Sequence, residues 1–140
     1  METTLAIVKP DAVAAGNAGK ILAHLEQEGF TLRALRLVRL TRAQAEGFYA
    51  VHRERPFFTS LVEFMTSGPC LPVALERENA QAHLRDVMGA TDVAKAAPGT
   101  IRNLYGTSIE RNAIHGSDSL ENAALELAFF FPQTERIAAR

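Results

Sequence analysis

The segment RNAIHGSDS, residues 111–119, places one histidine between an apolar dipeptide and a run of small hydroxyl and acidic residues. Histidine is the side chain whose charge and hydrogen-bonding role change most readily near neutral pH. A neutral imidazole attacks through one nitrogen when an acceptor holds the proton on the other nitrogen. His115 is therefore a candidate nucleophile. The alternative is a partly buried ring that only hydrogen-bonds to a carbonyl.

Two other histidine chemistries fit the sequence poorly. The four histidines lie far apart, and no His-x-x-x-His pattern or cysteine pair accompanies them, so we expect no zinc site. His115, Ser117 and Asp118 supply the residue types of a hydrolase triad. However, the chain has no G-x-S-x-G segment, and residues so close in sequence seldom reach triad geometry. We therefore do not expect a serine hydrolase.

Transfer of a phosphoryl group by His115 would need cations and oriented donors around the phosphates, because positioning and charge neutralisation provide most of that catalysis. The candidates are spread along the chain: Lys9, Arg55, Arg85, Thr91 and Arg102. Each of them alone could be a solvated surface residue. Neither a G-x-x-x-x-G-K-[ST] loop nor a G-x-G-x-x-G segment occurs, so a nucleotide would bind by another arrangement.

Composition narrows the class of protein and its compartment. With 140 residues, 47% of them apolar and 22% charged, the chain predicts one globular domain over residues 1–140. A net charge of −1 provides no global attraction for nucleic acid or an anionic membrane. The single cysteine, Cys70, and an N-terminus without a signal-like apolar core favour the cytoplasm. No apolar stretch approaches the roughly 20 residues that span a bilayer.

Strand-like and helix-like segments alternate along the chain. TLAIVK, residues 4–9, predicts a short strand that Pro10 ends, which puts Lys9 at the strand's C-terminal end. The apolar spacing in residues 18–25 predicts an amphipathic helix. FTLRALRLVRL, residues 30–40, predicts a strand less clearly, because arginine recurs at every third position.

The middle of the chain predicts two successive helices, over residues 41–55 and 58–65. A strand over 70–77 and a helix over 79–90 follow. Residues 90–111 form a long connection without a clear period, and connections of that length are more often functional than idle.

A short strand, NAIHG at residues 112–116, precedes the last helix. Asp118 and Glu121 would form a capping box at that helix's start. Its apolar face would consist of Leu120, Ala123, Ala124 and Leu127. His115 then lies between the end of a strand and the start of a helix. The interleaved elements predict an α/β or α+β protein with helices packed on one small sheet, and they leave the strand order open.

Six ordered blocks of the sequence resemble nucleoside diphosphate kinases. The blocks are VKPDAV, GFYAVHRERPFF, FMTSGP, MGATD, PGTIR and NAIHGSDS, and together they span nearly the whole chain. The resemblance implies an α/β (α+β) fold of ferredoxin-like βαββαβ topology, with a four-stranded antiparallel sheet covered by helices. It also implies transfer of the γ-phosphate of a nucleoside triphosphate, typically ATP, to a nucleoside diphosphate. The route would be ping-pong, through a phosphohistidine at His115.

The same resemblance implies a role for each matching residue. Glu126 would accept the Nε2 proton of His115 and leave Nδ1 to attack, and Ser117 would hold the Glu126 carboxylate. Tyr49 would lie beside the nucleophile. The implied nucleotide contacts are Lys9, Phe57, Arg85, Thr91, Arg102 and Asn112.

Base, metal and partner expectations follow from the resemblance as well. Phe57 would stack on the base opposite an apolar wall at Ile109, so purines and pyrimidines should be accepted alike. Mg²⁺ would bridge phosphate oxygens and be held mainly by the nucleotide and water, so we assign it no protein ligand. We expect a homo-oligomer, a tetramer first, with a hexamer or dimer open, and no membrane or specific nucleic-acid partner. A ligand-binding regulatory domain and a phosphate-ester hydrolase remain as alternatives.

Overall fold

A computed structural model of the chain describes residues 1–137. The strands are β1 (Glu2–Val8), β2 (Thr31–Leu35), β3 (Leu71–Arg77) and β4 (Ile114–Gly116). The helices are α1 (Pro10–Ala14), α2 (Ala18–Gln27), α3 (Arg42–Phe48), α4 (Phe58–Met65), α5 (Ala80–Met88), α6 (Ile101–Tyr105) and α7 (Leu120–Phe130). Short 3-10 turns lie at Ala50–His52, Val93–Lys95 and Gln133–Glu135.

The four strands form one sheet in the order β2-β3-β1-β4, and every neighbouring pair is antiparallel. The series β1, α2, β2, β3, α5, β4 is the βαββαβ arrangement, with the remaining helices added to it. The predicted ferredoxin-like α+β fold is therefore confirmed. In the register of β1 with β4, His115 lies opposite Ile7.

Both faces of the sheet are covered, which explains why β1 is apolar at consecutive positions rather than alternating. Ala6 and Val8 belong to a core on one face, which is completed by α2, α5 and α6. Leu5 and Ile7 belong to a second core on the other face, which is completed by α3, α4 and α7. His115 extends the second face because it pairs with Ile7.

Several predicted elements are shorter than the sequence pattern suggests. The helix predicted over 79–90 is limited to Ala80–Met88, and the strand predicted over 112–116 is limited to Ile114–Gly116. The helix predicted over 41–55 ends at Phe48 and gives way to the 3-10 turn at Ala50–His52. The strand predicted over 30–40 is limited to β2, whose register against β3 shifts between Leu32 and Ala34. The connection over 90–111 is structured, because it contains a 3-10 turn and α6.

The predicted start of the last helix is wrong by one residue. Ser119 is the N-cap of α7, and its hydroxyl accepts from the Asn122 N–H over 3.0 Å. Asp118 therefore lies outside the helix, where it contacts Arg85 at 3.3 Å. The buried face of α7 consists of Ala123, Leu127 and Phe130, whereas the predicted Leu120 and Ala124 are exposed. The consequence is that Asp118 faces the functional cleft described below.

Candidate active site

A cleft of about 370 Å³ opens where β1 ends and β4 passes beside it. Eight of the ten predicted site residues line this cleft: Lys9, Tyr49, Phe57, Arg85, Thr91, Arg102, Asn112 and His115. The other two, Ser117 and Glu126, lie behind the imidazole. Arg55, a candidate cation in the sequence, is not among the residues from 1 to 137 that line the cleft.

The His115 imidazole is held from behind by a carboxylate. Alternation along β4 directs Ile114 into the core with α5 and α6, so His115 faces the opposite side, where α7 packs. Glu126 of α7 accepts a hydrogen bond from Nε2 over 2.8 Å. The Ser117 hydroxyl donates to the same carboxylate oxygen over 2.9 Å. With Nε2 engaged in this way, Nδ1 is the nitrogen that remains available.

Aromatic rings limit the rotation of the imidazole. Phe48 and Tyr49 meet the His115 ring edge-on, with centroids at 5.5 and 6.2 Å. The Tyr49 hydroxyl is buried and has no hydrogen-bond partner among residues 1–137. Burial, with smaller effects from Cys70 and Glu126, raises the pKa of Tyr49 well above its ordinary value. Tyr49 is therefore a protonated donor beside the nucleophile.

Gly116 allows β4 to approach α5 closely. A Cβ atom at this position would lie 2.6 Å from the Met88 sulfur, so a larger residue would require the Met88 side chain or the strand to shift. The Gly116 carbonyl also accepts from the Arg85 guanidinium over 3.2 Å. This hydrogen bond joins the cationic side chain of α5 to the residue that follows His115.

A buried lysine and an asparagine form the floor of the cleft. The Lys9 ammonium donates to the Asn112 side-chain oxygen over 2.9 Å, and the Asn112 amide donates to the Thr91 carbonyl over 3.2 Å. Burial is the main reason that the pKa of Lys9 is lowered to about 8, and the charge of Arg102 lowers it further. This chain of hydrogen bonds joins the end of β1, the long connection and the entry to β4.

The cations of the cleft carry more positive charge than its anions balance. Arg102 is buried and donates to the Ile114 carbonyl over 2.9 Å, while its Nε has no partner in the part of the chain that the structure describes. Burial, followed by the charge of Arg85, lowers the pKa of Arg102. Arg85 contacts Asp118, which is largely exposed. An anionic ligand would relieve this repulsion.

The mouth of the cleft exposes large apolar side chains. Phe57 is 45% exposed and Ile109 is 61% exposed, which makes them suited to contact with a planar ligand. The lining also includes His52, Leu61 and Glu110, to which the sequence analysis gives no role in the site. His52 follows Tyr49 by three residues, and that helical spacing could have placed both on one side. No sequence pattern distinguishes Glu110.

The cleft holds an imidazole with one free nitrogen, an excess of positive charge and an exposed aromatic ring. This combination is suited to taking a phosphoryl group from a nucleotide. Together with the βαββαβ sheet, these features define a nucleotide phosphotransferase.

Among residues 1–137, none of the helices has the length and hydropathy that a bilayer-spanning segment needs.

Comparison with known proteins gives the family. The family model described as nucleoside diphosphate kinase matches residues 2–136. A nucleoside diphosphate kinase of Sorangium cellulosum is 59% identical, over 94% of this chain and 91% of its own length. One of Wolinella succinogenes is 58% identical, over 96% of this chain and 98% of its own length. The chain belongs to the nucleoside diphosphate kinase family, and it is a kinase that acts on nucleotides.

Solved structures agree with this assignment. The nucleoside diphosphate kinase of Aquifex aeolicus has a TM-score of 0.95 and 50% identity, and the match covers 97% of this chain and 99% of that chain. A halophilic nucleoside diphosphate kinase from Halobacterium salinarum, in complex with CDP, has a TM-score of 0.95 and 40% identity. That match covers 99% of this chain and 93% of the other.

Proposed function

We propose that this kinase moves the γ-phosphate of a nucleoside triphosphate to a nucleoside diphosphate through a phosphohistidine at His115. The observation that supports this most strongly is the hydrogen bond between His115 Nε2 and Glu126, reinforced by Ser117. A neutral imidazole is nucleophilic only at the nitrogen without a proton. Because the carboxylate holds the proton on Nε2, the lone pair that can attack phosphorus is on Nδ1.

In the first half of the reaction, Nδ1 forms a bond to the γ-phosphorus and the bond to the bridging oxygen of the β-phosphate breaks. The diphosphate leaves with the electron pair of that bond. The ring becomes a phosphoimidazolium, whose positive charge is stabilised by the Glu126 carboxylate at 2.8 Å. In the second half, a terminal oxygen of another diphosphate attacks the same phosphorus and the neutral ring is regenerated.

The cationic side of the cleft would neutralise and orient the phosphates. Arg85, Thr91 and Arg102 face the phosphate chain in this proposal, and Lys9 lies near the transferred group. The Lys9 ammonium and the Asn112 side-chain amide also form hydrogen bonds to the sugar hydroxyls in this proposal. Buried donors of this kind contribute most where charge develops in the transition state.

The base would stack on Phe57, with Ile109 opposite it. Every nucleobase offers a flat face, so a site that relies on stacking accepts purines and pyrimidines alike. The Halobacterium salinarum relative that was crystallised with CDP supports binding of a pyrimidine nucleotide. We therefore propose broad base and sugar specificity.

A divalent metal is part of the activity of such kinases, and we propose Mg²⁺. Within residues 1–137, no three His, Cys, Asp or Glu side chains form a possible ligand cluster. In this proposal the ion arrives on the nucleotide, where phosphate oxygens and water would be its ligands. When bound, the ion neutralises part of the phosphate charge. Lys9, Arg85 and Arg102 neutralise the rest.

We also propose a homo-oligomer, a tetramer first, with a hexamer or dimer as the other assemblies. β2 is an edge strand, and Leu35 and Leu37 near it are exposed, as are Leu125 and Phe129 on α7. Exposed apolar side chains next to a strand edge favour association. Sedimentation equilibrium should give a multiple of 15.3 kDa, and a species of 15.3 kDa alone would refute the assembly.

Two further attributes are proposals on sequence grounds. We propose that residues 1–140 form one domain, and that the protein works in the cytoplasm. The compartment is consistent with Cys70, the single cysteine of the sequence, which is fully buried as a free thiol.

Incubation with γ-labelled ATP tests the reaction directly. The chain should acquire an acid-labile label, and GDP should remove the label and yield labelled GTP. His115→Ala should abolish labelling and lower transfer by roughly 10³-fold or more, because the nucleophile is lost. His24→Ala serves as the matched histidine control and should be labelled normally.

The same assay separates the alternative functions. A binding domain would remain unlabelled in the presence of ATP. A phosphate-ester hydrolase would release inorganic phosphate without an acceptor diphosphate, so phosphate release should be measured beside GTP formation. Either result, or transfer by His115→Ala at a rate near that of the unmodified chain, would refute the proposed function.

A further inference from the structure

The residue that begins the approach to β4 has an unusual backbone. Ala113 has a φ of 76°, in the region that favours glycine. The Ile114 N–H donates to the Asn112 carbonyl over 2.9 Å, which closes a three-residue γ-turn around Ala113. A γ-turn with positive φ is rare and strained, and such strain persists only where the surroundings hold it. Here it lies two residues before His115.

The junction between β1 and α1 holds both peptide groups of the strained residue. The Lys9 backbone N–H donates to the Ala113 carbonyl over 2.9 Å. The Ala113 N–H donates to the Asp11 carboxylate over 3.1 Å. The Ala113 methyl is fully buried, so the turn also lies against the core. Lys9 holds the turn through its backbone, whereas Asp11 holds it through its side chain.

The turn determines where two site residues lie. Asn112 begins the turn, and its buried side chain accepts from the Lys9 ammonium over 2.9 Å. His115 follows the turn, in register with Ile7 of β1. If Ala113 relaxed to a negative φ, the chain would leave the turn in another direction. The amide of Asn112 and the imidazole of His115 would then both move relative to Lys9.

We propose that Asp11 is a positioning residue for phosphate transfer: its carboxylate holds the γ-turn at Ala113 and so fixes His115 and Asn112 relative to Lys9. This inference rests on the proposed role of His115 as the phosphorylated residue. It also gives a role to a partly buried acid that is not among the residues lining the cleft. One oxygen of the Asp11 carboxylate accepts from the Ala113 N–H, and the other oxygen is buried without a hydrogen-bond partner among residues 1–137.

A structural explanation competes with this role, because Asp11 also lies in the first turn of α1, where a carboxylate stabilises the helix N-terminus. The two explanations differ in what Ala113 does. Glycine adopts positive φ without strain. Ala113→Gly should therefore make Asp11 dispensable if Asp11 acts through the turn, whereas it should change nothing if Asp11 acts through α1.

The experiment is a double-mutant cycle of Asp11→Ala and Ala113→Gly. The rate of His115 phosphorylation by ATP is measured in a single turnover, alongside nucleotide affinity and thermal unfolding. Asp11→Ala should slow phosphorylation by about tenfold or more, with a smaller change in affinity, because a small displacement of the nucleophile is costly. In the Ala113→Gly background, the same substitution should cost no more than about threefold. Asp11→Asn keeps an oxygen acceptor and should retain most of the rate.

Two outcomes would overturn the inference: an Asp11→Ala rate within twofold of the unmodified chain, or an equal loss in both backgrounds. If Asp11→Ala does not fold, Asp11→Glu replaces it in the cycle, because it moves the acceptor by one methylene. Asp11→Glu must then slow phosphorylation, and Ala113→Gly must restore it, or the inference fails. Absence of label on His115 in the unmodified chain would instead defeat the proposed function.

Discussion

The two sides of the cleft differ in how complete they are without substrate. On the nucleophile side, His115, Glu126 and Ser117 satisfy one another over 2.8 and 2.9 Å. On the phosphate side, Lys9 and Arg102 are buried next to other positive charge, and the pKa values of both are lowered. The first side is organised before the nucleotide arrives, whereas the second needs the nucleotide's charge to be balanced.

This difference predicts different consequences of mutation. Buried positive charges cost free energy when negative charge does not balance them, and a phosphate offers them charge-assisted hydrogen bonds. Changes on the phosphate side should therefore alter both nucleotide affinity and rate. Changes on the nucleophile side should slow the chemical step and leave affinity nearly unchanged.

The largest effect in this comparison is expected for Arg102→Ala. Its guanidinium lies at the cleft and donates to the carbonyl of the residue before His115. Its loss should lower turnover by roughly 10²-fold, because a preorganised donor to developing charge is removed. Steady-state kinetics checks this, with exposed Arg53→Ala as the control. A decrease within twofold would make Arg102 a structural residue rather than part of the phosphate side.

Glu126→Gln should lower the rate of His115 phosphorylation by about tenfold or more. Glutamine can still accept from Nε2 but lacks the charge that stabilises the phosphoimidazolium. Nucleotide affinity should stay within about twofold, since Glu126 lies behind the ring. Stopped-flow kinetics and equilibrium binding separate the two quantities, and Glu121→Gln, exposed on the same helix, is the control. Weaker binding with an unchanged rate would contradict the comparison.

Phe57→Ala should weaken all nucleotides by a similar factor, about tenfold, because stacking contributes about 1–3 kcal/mol per base. The measurement is kcat/KM for the four common diphosphates. Val51→Ala, at a nearby position that is 78% exposed, should have no effect. A loss confined to one base would show that the cleft reads base edges.

The smallest effect is a pH dependence from Lys9, whose pKa is about 8. Above that pH the free protein loses the ammonium, so kcat/KM should be about fourfold lower at pH 8.5 than its plateau if only the protonated form binds. Lys9→Met should lack this alkaline decrease. If kcat/KM of Lys9→Met decreases by the same factor above pH 8, another group is responsible for the titration.

The same shift has a consequence for stability without nucleotide. The pKa of Lys9 is lower in the folded protein than in the unfolded chain, where it is 10.5. The unfolded state therefore binds more protons between about pH 8 and 10.5, and the Lys9 contribution to the free energy of unfolding should rise with pH in that window. Comparing denaturant unfolding of the unmodified chain and Lys9→Met measures that contribution.

Much of this molecule could be predicted from its sequence, but by two different routes. The apolar run in β1 and the helical spacing in α2 follow from local pattern, whereas the antiparallel βαββαβ topology follows from resemblance to a family. The start of α7 was misplaced because Asp118 and Ser119 are both good cap residues, and Asp118 contacts Arg85 instead.

The γ-turn could not be predicted locally, because alanine disfavours the φ that Ala113 adopts. Contacts from Lys9 and Asp11, about a hundred residues earlier in the chain, hold it there. Glu110 could not be predicted for a related reason, because nothing in its local sequence indicates that it lines the cleft. His52 differs, since its spacing of three residues from Tyr49 was a usable signal.

The most direct test of the account is the position of phosphorus on the protein during turnover. The chain, labelled with ¹⁵N-histidine and treated with ATP and Mg²⁺, is examined by mass spectrometry and by phosphorus–nitrogen coupling in NMR. We predict a single phosphorylated ring, at His115, with phosphorus on Nδ1. Phosphorus on Nε2, on another residue or on no residue under conditions of turnover would contradict the assignment of Glu126 as the group that holds the other nitrogen.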